Sequence, residues 1–238
     1  MLSPQDLFDL SGFTHADIFD RCNFAWEVLP KIESYLEYQF SNVLKPTIKA
    51  KVSPGAFIEG DVYIGKDTIV EPGALIYGPT IIGENCKISQ GAYIRGNVIL
   101  GNESIVGHTT EVKNTIFLNK AHAPHFAYVG DSILGNRVNL GAGTKLANLP
   151  LFSTKDPLTL KRPTIRLRFR DKEIDTGLSK LGAILGDDVQ IGCNAVTNPG
   201  CIIGPRTFVY TLVSLKNGYY PADSIIKLRQ QTEQVLRK

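Results

Sequence analysis

Two of the four histidines fall close together, in the stretch His122-Ala123-Pro124-His125-Phe126-Ala127-Tyr128-Val129-Gly130-Asp131-Ser132. An imidazole with an unperturbed pKa of about 6.5 suits proton transfer near neutral pH, and it also suits metal ligation. A second polar stretch, Asn139-Leu140-Gly141-Ala142-Gly143-Thr144, follows closely. His108 is a third histidine within reach of the first two along the chain. A zinc enzyme of the carbonic anhydrase type needs three histidines from adjacent faces, and His108, His122 and His125 could supply them. The chain has no P-loop, no Gly-x-Gly-x-x-Gly, no His-Glu-x-x-His and no Gly-x-Ser-x-Gly elbow. What remains is a His-centred site. Cys22, Cys86, Cys193 and Cys201 are scattered without metal-type spacing, and they read as reduced, buried and structural.

The frame that must position these residues is a repeat of six. Val52, Ile58, Ile64, Val70, Ile76, Ile82, Ile88, Ile94, Leu100, Val106, Val112 and Leu118 follow one another at that spacing. A period of six fits neither a helix nor the alternation of a two-sided sheet. It fits a coil of short strands with one inward aliphatic side chain per strand. The repeat resumes as Tyr128, Leu134, Leu140 and Leu146, ten residues after Leu118. That gap predicts a slip of phase and a bulge or short loop displaying His125. Tyr128 falls on an inward position in this frame. The repeat returns as Leu185, Ile191, Thr197, Ile203 and Val209. With three hexads per turn and about 4.7–4.9 Å per turn, roughly seven turns make a prism roughly 34 Å tall. Arg95 and Lys113 are one full turn apart, so they should stack on adjacent rungs. Two such cations suit a phosphate.

Three segments lie outside the repeat. Residues 1–44 carry a helical arm, with Phe24, Ala25, Val28, Leu29, Ile32, Leu36 and Phe40 as an apolar stripe and a break expected at Pro30. Residues 149–180 interrupt the prism of residues 45–218 with a basic insertion. There Thr164–Arg170 alternates apolar and basic side chains, which predicts a strand, a turn at Asp171-Lys172 and a return strand near Glu173–Thr176. A basic strand face is either solvated or attracts phosphate. Residues 219–238 are expected to hold a short amphipathic helix closing the open end.

Composition bounds the reading further. A net charge of +3 over 238 residues gives no argument for nucleic acid. No apolar run approaches the roughly 20 residues of a membrane span. Met1–Phe13 mixes acids with apolar residues, unlike a signal peptide, so a cytoplasmic location is the default expectation.

The motifs Glu111-Val112-Lys113-Asn114, Pro124–Ser132 and Asn139–Thr144 resemble the acetyltransferase domain of the bifunctional enzymes that acetylate glucosamine-1-phosphate and then uridylylate it. Ala147-Asn148-Leu149, the basic insertion and Thr176–Gly186 look more like the archaeal-type sugar-1-phosphate nucleotidylyltransferases, which carry the same domain. The resemblance covers about residues 45–218. It implies a left-handed parallel β-helix, mainly β, assembled as a homotrimer with sites between subunits. It makes His125 the general base and places the sugar phosphate on Arg95 and Lys113. Tyr128, Asn139 and Asn148 would contact the sugar or orient the thioester, and Lys180 would be a further substrate contact. Acetyl-CoA would lie in a groove whose wall includes the corners at Cys193 and Thr211, with Arg206, Lys216 and Arg229 as candidates for its phosphates. No resident metal is implied. The family's nucleotidyltransferase domain has no counterpart here, so uridylyl transfer is not expected, and a separate nucleotidyltransferase is a conceivable partner. Acylation of a nucleotide-linked amino sugar, or non-catalytic binding of a nucleotide sugar, are the readings that compete.

Overall fold

The computed structural model describes all residues except Met1, Asp171, Gln230, Thr232, Gln234, Arg237 and Lys238. The chain winds into a parallel β-helix of three sheets. Sheet A holds nine strands, from Thr47–Ile48 to Gly218–Tyr220. Sheet B holds nine, from Lys51–Val52 to Ile225–Ile226, and sheet C eight, from Phe57–Glu59 to Ser214–Leu215. Neighbours within each sheet are one turn apart, so the coil runs to about nine turns rather than seven. The additional strands are the outermost ones, where the aliphatic hexad is imperfect, and His122–His125, where the phase slips.

Most strands send one side chain to the interior, and several of sheet A send two, such as Val98 and Leu100. Val106, Val112, Phe117, Ala123, Val129, Leu134, Leu140 and Leu146 form part of this core, all buried. The expected slip is absorbed differently from the loop predicted above. Val98, Ile99 and Leu100 oppose Thr115, Ile116 and Phe117, a shift of 17 residues rather than 18. Two sides of the prism have five residues, from Val112 to Phe117 and from Val129 to Leu134. Val129, not Tyr128, therefore points inward, and Phe117, not Leu118, fills the preceding rung. No loop folds out: His122–His125 is itself a strand of sheet B. Leu118 lies on the outer side of sheet A, beneath the arm.

Sheet A differs from the other two in being buried on both sides. Val98–Leu100, Thr115–Phe117, Ala183–Leu185 and Cys201–Ile203 are buried at every residue. Residues outside the coil cover it. The arm is made of Pro4–Leu7, the 3-10 turns Ala16–Phe19 and Ala25–Lys31, and the helix Ile32–Asn42. It is thus helical in pieces, not continuously, and the change from 3-10 to α winding falls next to Pro30 as expected. Trp26, Val28, Leu29, Ile32 and Leu36 pack with Ile81, Ile99, Ile116 and Ile133 of sheet A. Polar bonds fix the arm where sheets A and B meet: Asn119 donates to the Gly12 carbonyl at 2.7 Å and Asn136 to that of Asp9 at 2.8 Å. The insertion forms the predicted hairpin, Arg166–Phe169 against Lys172–Asp175. Its buried Ile165 and Leu167 pack against the same sheet near Ile202.

The chain's end corrects another expectation. Ile225–Ile226 extends sheet B against Phe208–Val209, and no helix is found among the described residues from 219 on. Pairing with the open sheet edge satisfies backbone groups that a helix would leave exposed.

Candidate active site

With sheet A covered, the outer faces of sheets B and C remain, and the candidate residues lie there. The corner from B to C carries His125. Its register is set by Val106 against Ala123, which places His108 opposite His125 one rung away. Two residues past the inward position, His125, Ala142, Cys193 and Thr211 occupy successive rungs. The ladder at this corner confirms the order: Gly143 N–H donates to the His125 carbonyl, Asn194 N–H to that of Ala142 and Leu212 N–H to that of Cys193. With about 4.8 Å per rung, Cys193 lies roughly 10 Å and Thr211 roughly 14 Å along the column from His125. Cys193 and Thr211 are both exposed; of the four cysteines expected to be buried, only Cys86 and Cys201 are, because Cys193 sits at an outward corner position.

The His125 backbone can occupy this corner only because Gly107 lies beneath it. A Cβ on Gly107 would sit 1.7 Å from the Pro124 carbonyl oxygen. Phe126 makes the turn with φ of 34°. The His125 side chain is exposed, and its ring has no hydrogen-bonding partner among the described residues. His122 lies at the other end of the strand, three residues away, and bonds the Glu103 carbonyl at 3.1 Å. His108 bonds the Gln90 carbonyl at 3.0 Å. Among the described residues, no cluster of three or more His, Cys, Asp or Glu side chains is placed to hold a metal ion.

Sheet C brings four of the other predicted residues together. Tyr93, Glu111, Tyr128 and Lys145 stack at the strand starts, nearer the His125 corner. Arg95 and Lys113 stack on adjacent rungs farther along, as the spacing predicts, since Arg95 N–H donates to the Val112 carbonyl. Each cation faces a carboxylate. Arg95 bonds Glu111 at 2.7 Å, and Lys113 approaches Asp131 at 3.8 Å. The carboxylate of Glu111 holds the Arg95 guanidinium above its ordinary pKa. Asp131 is 6% exposed and accepts from Asn114 at 2.9 Å and from Asn148 through a short bond. A side chain on Gly130 would collide with the Tyr128 hydroxyl and the Asn148 amide, so this glycine lets both groups lie flat on the face. Burial first, then the nearby Asp131 and Glu111 charges, push the Tyr128 phenol above its ordinary pKa. It stays a neutral donor and acceptor at working pH.

Two predicted residues sit at the margin of this group. Asn139 opposes His122 on sheet B, at the far end of the strand from His125. Lys180 stands where the insertion rejoins the coil, beside Leu181, whose N–H donates to the Asn148 carbonyl at 3.0 Å. Arg206, weighed for CoA phosphates, is held in a two-point pair with Asp223 at 2.6 and 2.7 Å.

Sequence reasoning gave no role to Glu111 and Asp131, which organise the cations. The signal was present: Asn114, Asp131 and Asn148 are spaced by 17, the length of a turn containing one five-residue side. The resulting face carries both signs of charge, with two cations, two carboxylates, a phenol and amides. Such a face can bind a small zwitterion, its anionic end on Arg95 and Lys113 and its cationic end towards Glu111 and the His125 corner.

Among known proteins, residues 76–203, just over half of the chain, match the GMPPB C-terminal domain family. The bifunctional protein GlmU of Methanococcus maripaludis (strain C7) is 41% identical over 184 residues, covering 77% of this chain and 41% of GlmU. GlmU of Methanocaldococcus jannaschii is 34% identical over the same length, with the same coverage. The chain thus spans about two fifths of the length of these relatives. YaiX of Escherichia coli (strain K12), an uncharacterized protein named as an acetyltransferase, is 32% identical over 188 residues, 76% of this chain and 78% of YaiX. Among the described residues no helix is long and apolar enough to cross a membrane.

Proposed function

We propose, since the chain belongs to the GMPPB C-terminal domain family, that it transfers an acetyl group from acetyl-CoA to the amine of an amino-sugar-1-phosphate, with glucosamine-1-phosphate the leading acceptor. One observation carries the reading. Arg95, Lys113, Tyr128 and Asn148 share the face of sheet C, and the unpartnered His125 stands at its edge in one column with Cys193 and Thr211. A phosphate would displace Glu111 and Asp131 in part and span the two cations. Arg95 supplies a planar fork for two hydrogen bonds and Lys113 a point charge. The sugar would lie over Tyr128 and Asn148, with its amine towards the corner. The thioester would run along the column, where main-chain groups near Cys193 and Thr211 are available to pantetheine amides.

The amine nitrogen attacks the thioester carbonyl, and His125 accepts the proton released as the C–N bond forms. The C–S bond breaks, and the thiolate of CoA takes up a proton as it leaves. Transfer is direct, from thioester to amine, with Cys193 roughly 10 Å along the column from the His125 corner where the amine lies. The chain works as a homotrimer with the donor groove between two prisms. Catalysis needs no metal, and the setting is cytoplasmic.

The test is acetyl-CoA turnover by the purified chain, read as free-thiol release, against a panel of amino sugars with and without a 1-phosphate. Release with glucosamine-1-phosphate and little with free glucosamine is the expected result. Equal rates with both would remove the phosphate from the account, and no release with any amine would remove the activity.

A further inference from the structure

The insertion borders an open hollow that the proposed reaction does not use. Between the loop of residues 150–163 and the point where the chain rejoins the coil lies a cavity of about 700 Å³. Lys155, Lys161, Arg162 and Lys180 line it, with Leu149 and Leu160 as apolar walls, and among the described residues no carboxylate contributes to the lining. Two acids of the same segment are occupied elsewhere. Asp156 accepts from the N–H groups of Leu158 and Thr159, and Asp175 from the Thr164 hydroxyl and Gly177 N–H. Among the described residues, Lys155, Lys161 and Lys180 form no ion pair, in contrast to Arg95 and Lys113. Arg162 donates to the Ser153 carbonyl within the loop. Four cations around one space repel one another, and an anion of more than one charge relieves that repulsion.

The position of the cavity says what the anion belongs to. Lys180 adjoins Leu181, which is bonded to Asn148, and Asn148 is bonded to Asp131 at the sheet C face. The cavity therefore continues the acceptor face at the margin of sheet C away from His125, not the column of His125, Cys193 and Thr211. We infer that it is a subsite for a second phosphate, and that the face takes amino sugars linked to a nucleoside diphosphate as well as those with a single phosphate. Its location relies on the acceptor reading above, but its binding does not depend on turnover.

Calorimetric titration of the full chain with uridine diphosphate, without acetyl-CoA, tests this. Wild type should bind, and the Lys155→Ala/Lys161→Ala double variant should bind at least about tenfold more weakly, the scale of losing charge-assisted contacts. Lys155→Arg/Lys161→Arg should retain binding, which separates lost charge from a disturbed loop. A parallel titration with CoA should differ little between the variants. Absent binding by wild type, or an unchanged affinity in the alanine variant, would overturn the subsite. A loss confined to CoA would assign the cations to the donor instead. Failure of acetyl transfer with every amine would leave this titration standing, so the two ideas fail separately.

Discussion

Sheet A and sheet C are built from the same coil, at the same rungs, yet they do opposite work. In sheet A the residue before the inward aliphatic is itself aliphatic, as in Ile81-Ile82, Ile99-Leu100, Ile116-Phe117, Ile184-Leu185 and Ile202-Ile203. That side must be covered, and the arm and hairpin cover it. In the four middle strands of sheet C the same position holds Tyr93, Glu111, Tyr128 and Lys145, together with outward Arg95 and Lys113, while Phe57, Leu75 and Val196 hold it in the strands to either side. That side stays open and polar. A strand buried on both faces reads as a continuous apolar run, and one with a wet face alternates. The coil thus gives rigidity to both faces, and one outward residue per strand decides whether a face packs or binds.

Stability should follow the covered face. Trp26, the residue of the arm packed onto sheet A, is 1% exposed, whereas Phe57 on sheet C is 64% exposed. Trp26→Ala should cost about 3–5 kcal/mol in urea melts. Phe57→Ala should cost about 0.5 kcal/mol or less, as surface changes do. Equal losses would break the contrast between the two faces.

Function should follow the open face. Removing the guanidinium with Arg95→Ala should raise the acceptor KM about ten- to hundredfold, the scale of a lost charged hydrogen bond. The acetyl-CoA KM should barely move, because Arg95 lies across sheet C from the donor column. Matching rises in both constants would contradict this division.

The smallest effect concerns pH and belongs to the arm. His15 is 9% exposed and bonded to the Tyr35 hydroxyl at 2.9 Å. Burial lowers its pKa below 6.5, with Asp17 opposing. On acidification the unfolded chain therefore takes up this proton first. The contribution is whole above pH 6.5 and declines as the pH falls from there towards the folded-state pKa. His15→Gln should flatten the dependence of melting temperature on pH between neutral and mildly acidic buffer, and an unchanged slope would exclude His15 as its source.

Much of this was legible beforehand, and the errors have a common origin. The hexad exposes the coil because a single inward side chain per strand is unmistakable when its neighbours are polar. Where two apolar residues adjoin, as at Phe117-Leu118 or Tyr128-Val129, the pattern admits two frames, and packing alone chooses between them. The two five-residue sides were hidden for that reason, and with them the column of Asn114, Asp131 and Asn148. The run Ile225-Ile226 near Leu228 resembles a helix stripe, but the open edge at Phe208–Val209 captures it as a strand. Arg95 and Lys113 were placed well because no shortened side lies between them. The 17-residue spacing stacks Asp131 with Asn114 and Asn148, but the turn of Asp131 towards Lys113 and of Glu111 towards Arg95 is not encoded in spacing.

The central claim is that His125 takes the proton from the attacking amine. It is tested most directly by the pH-resolved turnover of His125→Ala beside wild type, with melting temperature measured on the same samples. The account predicts an unchanged melting temperature and a turnover lower by about 10²–10⁴-fold, the usual worth of a general base. Turnover equal to wild type in a folded variant would contradict it.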